Sequence, residues 1–427
     1  MSDELAVYRR ISSMDPLLPN IERRELAELA QAITLAVGEL NGKVRSGVVR
    51  EKIAALIRNM NCYYSNLIEG HKTLPRDIER AREQDFARDV KQRENQLLAL
   101  AHIQTEESME ARLRGEKVDV YAQEFLCWIH GEFYRRLPES MHISRTANGK
   151  EYRIVPGQLR DYPVDVGGHT PPDFAMLPAF LSRFKEVYGD EHILATNRLV
   201  AIAAAHHRLA WIHPFGDGNG RVARIHSRAL LIRHGLDGGG LWTLSRGLAR
   251  ARRLYYERLQ EGDRARENDY DGRGNLSERG LSRFCAFFLE TILDQVKFMD
   301  SLLNLADLRT RVERYFAYDA LHLPKHREAL MSVVKALVDE GECSRERVSM
   351  LTGKGATTTA EIIKLGLKEG YIESPSEKGR LRIAFPGKIL PFYFPNLFVD
   401  LPSEQESVKG PIAPLPQEEL HPLRGAE

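Results

Sequence analysis

Apolar residues recur at three- and four-residue steps along most of this chain, with polar and charged residues between them. That spacing is typical of amphipathic helices, which bury one face. The clearest runs predict helices at residues 21–42, 48–69, 75–101, 120–137, 194–212, 221–234 and 281–303. The run at 194–212 is so apolar that it should be buried on most sides. The pattern therefore predicts a mainly α-helical fold.

Residues 142–172 break this pattern. Short extended pieces at 152–155 and 164–166 lie between glycines and prolines, which favour turns, so a β-hairpin or extended flap is predicted there. Beyond about residue 323 the pattern changes again. Helices and short strands are predicted at 328–340, 344–352, 357–369, 371–373 and 381–385. A helix, a helix–turn–helix and a small hairpin form the outline of a winged helix.

The length of 427 residues argues for two or three domains of ~100–200 residues each. The predicted units are an N-terminal helical region, a central helical domain, a winged-helix-like domain and a flexible tail, at residues 1–117, 118–305, 306–400 and 401–427.

Charge and cysteine content narrow the class of protein. Lys and Arg total 61 against 60 Asp and Glu, so no global charge draws the chain to nucleic acid or to an acidic membrane. The four cysteines lie far apart, which suits a reducing compartment. Neither a signal peptide nor a run of ~18 apolar residues is visible. We therefore expect a soluble, cytoplasmic protein with no membrane partner.

One short segment, residues 213–224, concentrates the groups that phosphate chemistry needs. Its three glycines let the backbone approach a ligand closely, and the following helix offers an N-terminus that attracts anions. Arg221 and Arg224 share a helix face and can grip phosphate oxygens. Asp217 can hold Mg²⁺ together with substrate phosphates, and His213 can accept a proton near neutral pH. Together these groups indicate phosphoryl-type transfer from a nucleotide.

Each of these residues also has a structural interpretation, since the glycines could simply form a tight loop and His213 could cap a helix. The occurrence of all the chemical roles within one window favours function. The glycine spacing is neither that of a P-loop nor that of a Rossmann turn.

The segment matches the Fic family signature HxFx[D/E]GNGRxxR at every defined position, and residues 118–303 resemble the helical core of that family with its flap. The resemblance implies that His213 is the general base, that Asp217 binds Mg²⁺ or alternatively Mn²⁺, and that Phe215 anchors the loop. It implies a phosphate site, with an anion hole, made by Gly218, Asn219, Gly220, Arg221 and Arg224.

The resemblance also implies a reaction, transfer of AMP from ATP to Ser, Thr or Tyr of a protein. Asp217 supports it, because the kinase-like Doc branch has Lys there. By the same resemblance, a target protein would dock on the flap at Val166, Gly167 and Gly168. Tyr255 and Tyr256 resemble the paired tyrosines near the family's adenine pocket, although at helical spacing they could equally be packing residues.

Ser65, Glu69 and Gly70 match the [S/T]xxxE[G/N] inhibitory pattern of Fic proteins and lie N-terminal to the catalytic core. A carboxylate at this helix end can pair with Arg224 and occupy the position of the γ-phosphate. The sequence thus predicts an enzyme inhibited by its own Glu69.

Two other functions stay open. The same site, with Glu69 orienting a water, could remove AMP from a modified target. Alternatively, the chain could be a DNA-binding regulator whose Fic fold senses a nucleotide. Residues 325–385 carry eleven Lys and Arg against nine Asp and Glu, an excess too small to favour DNA as a partner. A homo-oligomer is also left open.

Overall fold

The computed structural model describes residues 8–21, 23–145, 149–164, 166, 169–323 and 325–399. In these ranges the chain is mainly α-helical, as the periodicity predicts. The helices are α1 (Arg23–Lys43), α2 (Gly47–Ile68), α3 (Pro75–Arg82), α4 (Val90–Gly115), α5 (Gln123–Tyr134), α6 (Leu177–Tyr188), α7 (Arg198–Ile212), α8 (Asn219–Arg233), α9 (Leu244–Arg250), α10 (Arg252–Asp263), α11 (Glu278–Leu302), α12 (Leu305–Tyr318), α13 (Arg327–Glu340), α14 (Arg345–Thr352), α15 (Ala356–Glu369) and α16 (Leu390–Tyr393). The strands are β1 (Ile143–Arg145), β2 (Glu151–Arg153), β3 (Glu342–Cys343), β4 (Ile372–Glu373) and β5 (Leu381–Ile383).

The prediction of one continuous helix at residues 75–101 is wrong. The chain leaves the helical conformation after α3, passes through Gln84 at φ 62°, and restarts at α4, where the Asp89 carboxylate accepts the Gln92 N–H at 2.8 Å. The connection is held by the buried amide of Gln96, which accepts the Ala87 N–H at 2.7 Å and donates to the Asp77 carbonyl at 3.0 Å. No glycine or proline marks this break, so the local pattern does not reveal it.

Residues 142–172 contain a hairpin, as predicted, but β2 pairs in it with Ile143–Arg145 and not with the predicted extended piece at 164–166. Strands β1 and β2 pair antiparallel, with Ile143 opposite Arg153. Of the second extended piece, Val166 forms an isolated bridge with His169. Gly167 and Gly168, named above for target docking, lie outside the described residues.

Helix α7 is the centre of the molecule, as its apolar sequence predicts. It packs against α6, α8 and α11, and twelve of its residues are buried. Burying a helix on several sides fixes both of its ends, and the site described below lies at the end of α7.

The C-terminal part of the described chain contains the helices and strands in the predicted order. Its strands form an antiparallel sheet in the order β3-β5-β4, which α13 and α15 contact, and α14 packs against those two helices. The two-residue strand β3 and the whole of α12 were not predicted. The predicted tail, residues 401–427, lies outside the described residues, and the predicted domain boundaries stay predictions.

Helix α2 contacts many of the surrounding elements. Its buried side chains pack against α4 and α9, and it also contacts α13 and β5 of the C-terminal elements.

Among the helices that the structure describes, none has the length and apolarity needed to cross a membrane.

Candidate active site

Two residues in the left-handed backbone conformation set the shape of the turn that joins α7 to α8. His213 ends α7 at φ 49°, and Gly218 precedes α8 at φ 78°. A side chain at Gly218 would be strained at that φ, and its Cβ would lie 3.0 Å from the ring of Tyr134. The turn therefore needs glycine where it meets the start of α8.

Phe215 and Asn219 hold this turn in place, one by packing and one by hydrogen bonds. The Phe215 ring is fully buried and stacks on His130, with ring centroids 4.1 Å apart and planes 4° from parallel. The Asn219 amide accepts the Phe215 N–H at 2.9 Å and donates to its carbonyl at 2.8 Å. The Asn219 side chain is thus engaged within the loop, and its backbone lies at the N-terminus of α8.

His213 lies at the mouth of the loop with one ring nitrogen engaged. Its Nδ1 is 3.3 Å from the Ala210 carbonyl, so Nδ1 carries the proton and Nε2 keeps its lone pair. Arg160 donates to the His213 carbonyl at 2.8 Å and fixes the backbone. Burial, reinforced by the Arg160 charge, lowers the pKa of His213 to about 4. The imidazole is therefore neutral at pH 7 and can accept a proton.

Asp217 is exposed at the tip of the loop, and one of its carboxylate oxygens accepts the Tyr134 hydroxyl at 2.9 Å. An exposed carboxylate held by a buried phenol suits Mg²⁺, which is usually bound by one or two carboxylates together with substrate phosphates and water. Within the described ranges, no group of three or more His, Cys, Asp and Glu could hold a metal by itself. The residues fit a cation that arrives with a nucleotide.

Arg221 and Arg224 lie on the first turns of α8, and both are buried. Arg221 donates to the Asn66 side chain at 3.1 Å and lies over the ring of Phe133. Arg224 donates to the Ser65 hydroxyl at 2.9 Å and to the Ser65 carbonyl at 3.0 Å. Both arginines are thus bound to the last turn of α2.

Glu69, which follows the last residue of α2, forms the closest contact with this pair. Its Oε1 accepts from Arg224 Nη2 at 2.6 Å, and the Arg224 side chain is only 2% exposed. A Cβ on Gly220 would lie 2.3 Å from the same oxygen, so the carboxylate rests on the first turn of α8, where the helix dipole favours an anion. Burial acts to raise the pKa of Glu69, but Arg224 and Arg221 outweigh it and hold the pKa below its usual value. Gly70 follows at φ 83°.

The two tyrosines predicted beside the adenine occupy different environments. Tyr255 is buried, and its hydroxyl lies 2.8 Å from His206 Nε2, inside the helical core. Tyr256 is 37% exposed, and its hydroxyl donates to the Ile68 carbonyl at 3.2 Å. Tyr256 lies at the rim of the site. Tyr255 lies behind it and packs in the core, which is the alternative that the sequence left open for these tyrosines.

The flap is attached to the loop by buried side chains. Ser144 of β1 donates to the Gly216 carbonyl at 2.7 Å, and a Cβ on Gly216 would lie 1.9 Å from the Tyr162 hydroxyl. His169, the bridge partner of Val166, contacts the Trp211 carbonyl through Nε2 at 2.8 Å. The described flap residue Val166 therefore lies beside the end of α7.

Sequence reasoning missed several residues that support this site, and their positions explain why. Tyr134 and His130 lie on α5, Arg160 follows the flap hairpin, and Arg252 lies on α10. Each reaches the site only through tertiary packing. Arg160 carries the one usable signal, a charged residue in a segment that is otherwise rich in glycine and proline.

Comparison with known proteins finds a family match in the central part of the chain and similarity to curated proteins. The sequence profile of the Fic/DOC family matches residues 119–231. Protein adenylyltransferase Fic of Drosophila erecta is 36% identical over 99 residues, which is 23% of this chain and 20% of that protein, and its counterpart in Drosophila melanogaster is 35% identical over the same shares. The chain therefore spans about a fifth of the length of these curated relatives.

Solved structures of Fic proteins align with more of the chain. A Fic family protein from Desulfovibrio desulfuricans G20 aligns at a TM-score of 0.47 with 17% identity, covering 84% of this chain and 97% of that one. Fic-1 from C. elegans aligns at a TM-score of 0.48 with 15% identity, covering 67% of this chain and 73% of that one.

Proposed function

Residues 119–231 belong to the Fic/DOC family, and from that premise we propose that this chain is a protein adenylyltransferase. It transfers AMP from ATP to a Ser, Thr or Tyr hydroxyl of a protein, and Glu69 inhibits it by competing for Arg224. The observation that carries the proposal is the contact of Glu69 with both Arg224 and the first turn of α8. An anion already occupies the place where a triphosphate would bind.

His213 supplies the proton acceptor in this reaction. The oxygen of the target hydroxyl attacks the α-phosphorus, its proton passes to Nε2 of His213, and the bond to the bridging oxygen of pyrophosphate breaks. A neutral imidazole can take that proton, which agrees with the lowered pKa of His213.

The other residues of the turn bind and orient the nucleotide. The amides at the start of α8 and the Arg221 and Arg224 guanidiniums stabilise phosphate oxygens. Asp217, oriented by Tyr134, would hold Mg²⁺, and that ion would neutralise part of the phosphate charge. The flap beside the end of α7 offers the target a docking place.

Inhibition follows from the same geometry. While Glu69 pairs with Arg224, the guanidinium is unavailable to a γ-phosphate, and ATP binds with its phosphates displaced from in-line attack. An ion pair of this kind is worth ~2–5 kcal/mol, which corresponds to a tens- to thousands-fold change in rate.

Intact-mass measurement after incubation with ATP and Mg²⁺ tests the proposal. We expect Glu69→Gly to gain the mass of AMP on its own hydroxyls at a rate at least tens-fold above the unmodified sequence. The matched control, Glu69→Gly with His213→Ala, should bind ATP yet gain no mass. Addition of a phosphate mass, or no addition to Glu69→Gly, would contradict adenylyl transfer.

The reverse reaction, removal of AMP from a modified target, is the second candidate. Glu69 keeps 28% of its side chain exposed, so it could orient a water at the site. The two directions respond oppositely to one substitution. Glu69→Gly should accelerate transfer of AMP and should abolish its removal.

A further inference from the structure

The end of α2 leaves four backbone carbonyls without partners inside the helix, and these need donors from elsewhere. Three of them are satisfied at the site itself or by the turn that follows. The Ser65 carbonyl accepts from Arg224 at 3.0 Å, the Asn66 carbonyl from the N–H groups of Glu69 and His71 at 3.1 and 2.9 Å, and the Leu67 carbonyl from the Gly70 N–H at 3.0 Å.

The fourth carbonyl, that of Ile68, receives two side-chain donors from α10. Arg252 Nε donates to it at 2.8 Å, and the Tyr256 hydroxyl donates at 3.2 Å. The Arg252 guanidinium also lies over the Tyr256 ring, 5.5 Å from its centroid. A cation at the C-terminus of a helix is favoured by the helix dipole as well.

Ile68 immediately precedes Glu69, so its peptide plane sets the direction in which the glutamate leaves the helix. Resting on the proposed function, we infer that Arg252 and Tyr256 are positioning residues that hold the end of α2 so that Glu69 reaches Arg224. These hydrogen bonds involve neither Arg224 nor the turn that joins α7 to α8. Both residues act through the Ile68 carbonyl. The strength of inhibition is therefore set in part by α10.

This inference gives Tyr256 a role different from base stacking. The ring and the hydroxyl can be separated experimentally, because Tyr256→Phe removes the donor and keeps the ring. Arg253, the next residue after Arg252, is 92% exposed at its side chain and pairs with Glu257 at 3.7 Å. Arg253→Ala is therefore the matched control on the same helix.

The test compares Arg252→Ala with Tyr256→Phe, singly and combined, in two backgrounds. In the native background, the combined variant should raise AMP transfer about tenfold, since each lost hydrogen bond is worth about a two- to tenfold change. In the Glu69→Gly background, the same pair should change transfer less than about twofold. Arg253→Ala should change neither.

Hydrogen exchange gives a readout that does not depend on catalysis. The amides of residues 69–71 should exchange about tenfold faster in the combined variant, with ATP affinity in the Glu69→Gly background unchanged. If the combined variant increased AMP transfer equally in the native and Glu69→Gly backgrounds, the inference would be overturned. Unchanged hydrogen exchange at residues 69–71 would overturn it as well. A loss of ATP affinity in the Glu69→Gly background would assign the pair to the nucleotide instead. If Glu69→Gly fails to transfer AMP, the proposed function falls while the exchange experiment still decides this inference.

Discussion

At the scale of single residues, Arg224 is the group where inhibition by Glu69 and binding of the nucleotide would meet in the proposed mechanism. Its guanidinium is almost completely buried and contacts Ser65 and Glu69. A buried guanidinium without an anionic partner is costly, so the vacated arginine favours an incoming phosphate over solvent. The proposed competition between Glu69 and a phosphate would therefore follow from the burial of Arg224 as well as from its charge.

The pKa of His213 leads to a prediction about pH. Because burial and the Arg160 charge lower that pKa to about 4, the imidazole stays neutral well below pH 6.5. AMP transfer by Glu69→Gly should hold its rate as the pH falls to about 5 and should decline only as the pH nears 4. The rate at saturating ATP, measured from pH 4 to 8, checks this.

ATP binding measured over the same pH range is the control, because it separates protonation of the nucleotide from protonation of the enzyme. A half-loss of rate between pH 6 and 7, with ATP binding intact, would show that His213 titrates normally or is not the base.

The individual motif residues could be predicted from the sequence, whereas their supporting residues could not. His213, Asp217 and Arg224 stand within one window, so their chemistry is visible in the local order of residues. Tyr134 and Arg252 reach them from distant helices, across sequence separations that no local pattern encodes. The paired tyrosines suggest a common role, yet the helix places the Tyr255 ring in the core and Tyr256 at the rim, a difference that their spacing does not reveal.

At the scale of helices, α2, α4 and α8 are joined by a buried ionic cluster. Arg228 of α8 donates to Glu110 of α4 at 2.6 Å, and Arg58 of α2 donates to the same carboxylate at 2.7 Å. The two arginines hold the pKa of Glu110 below its usual value, although burial acts to raise it. The cluster links α2, which Glu69 follows, to α8, which carries Arg224.

Removing one partner of this cluster should destabilise the protein strongly. Arg228→Met leaves the buried Glu110 carboxylate short of a counter-charge, and we expect the free energy of unfolding to fall by about 3 kcal/mol. Urea denaturation followed by circular dichroism measures this. The exposed pair of Arg24 with Glu28 supplies the control, since Arg24→Ala should leave the denaturation midpoint unchanged. Equal midpoints for all three proteins would mean that the cluster contributes nothing.

Helix positions were largely predictable because the apolar period reports which face is buried. The exceptions have a tertiary cause. The break between α3 and α4 depends on the buried amide of Gln96, which pairs with backbone groups on both sides of the turn. The hydrogen bonds of Gln96, together with the Asp89 cap of α4, override the local helical pattern there.

At the scale of the whole molecule, α2 connects the C-terminal elements to the site. The Ser46 hydroxyl at its start donates to the carbonyl of Glu340, the last residue of α13, at 3.2 Å, and Lys52 pairs with Glu373 of β4. Further along, the Tyr64 hydroxyl accepts the Val399 N–H at 2.9 Å and donates to the Leu397 carbonyl at 3.0 Å. A cavity of about 260 Å³ lies between α2, α3 and the C-terminal elements.

A charge reversal at the contact of Lys52 with Glu373 tests whether the C-terminal elements influence the rate of AMP transfer through α2. Lys52→Glu places two carboxylates together, and we expect it to raise AMP transfer about two- to fivefold by loosening α2. Adding Glu373→Lys restores an ion pair and should return transfer to the native rate. AMP incorporation by the three proteins, measured at equal concentration, gives the answer. A rate that Lys52→Glu leaves unchanged would show that the contact is only structural.

The buried face of α2 limits how the proposed inhibition by Glu69 could be relieved. Helix α2 is buried along nearly its whole length, at Ile53, Ile57, Met60 and the residues from Asn61 to Ile68. The helix therefore cannot detach without exposing the interior of the protein. Any shift is thus confined to the turn that follows the helix, where Glu69 is partly exposed and Gly70 is exposed. Different substitutions in that turn should therefore give a graded series of AMP-transfer rates rather than only an inhibited and an active level. The melting temperature of the protein should stay nearly constant across the series.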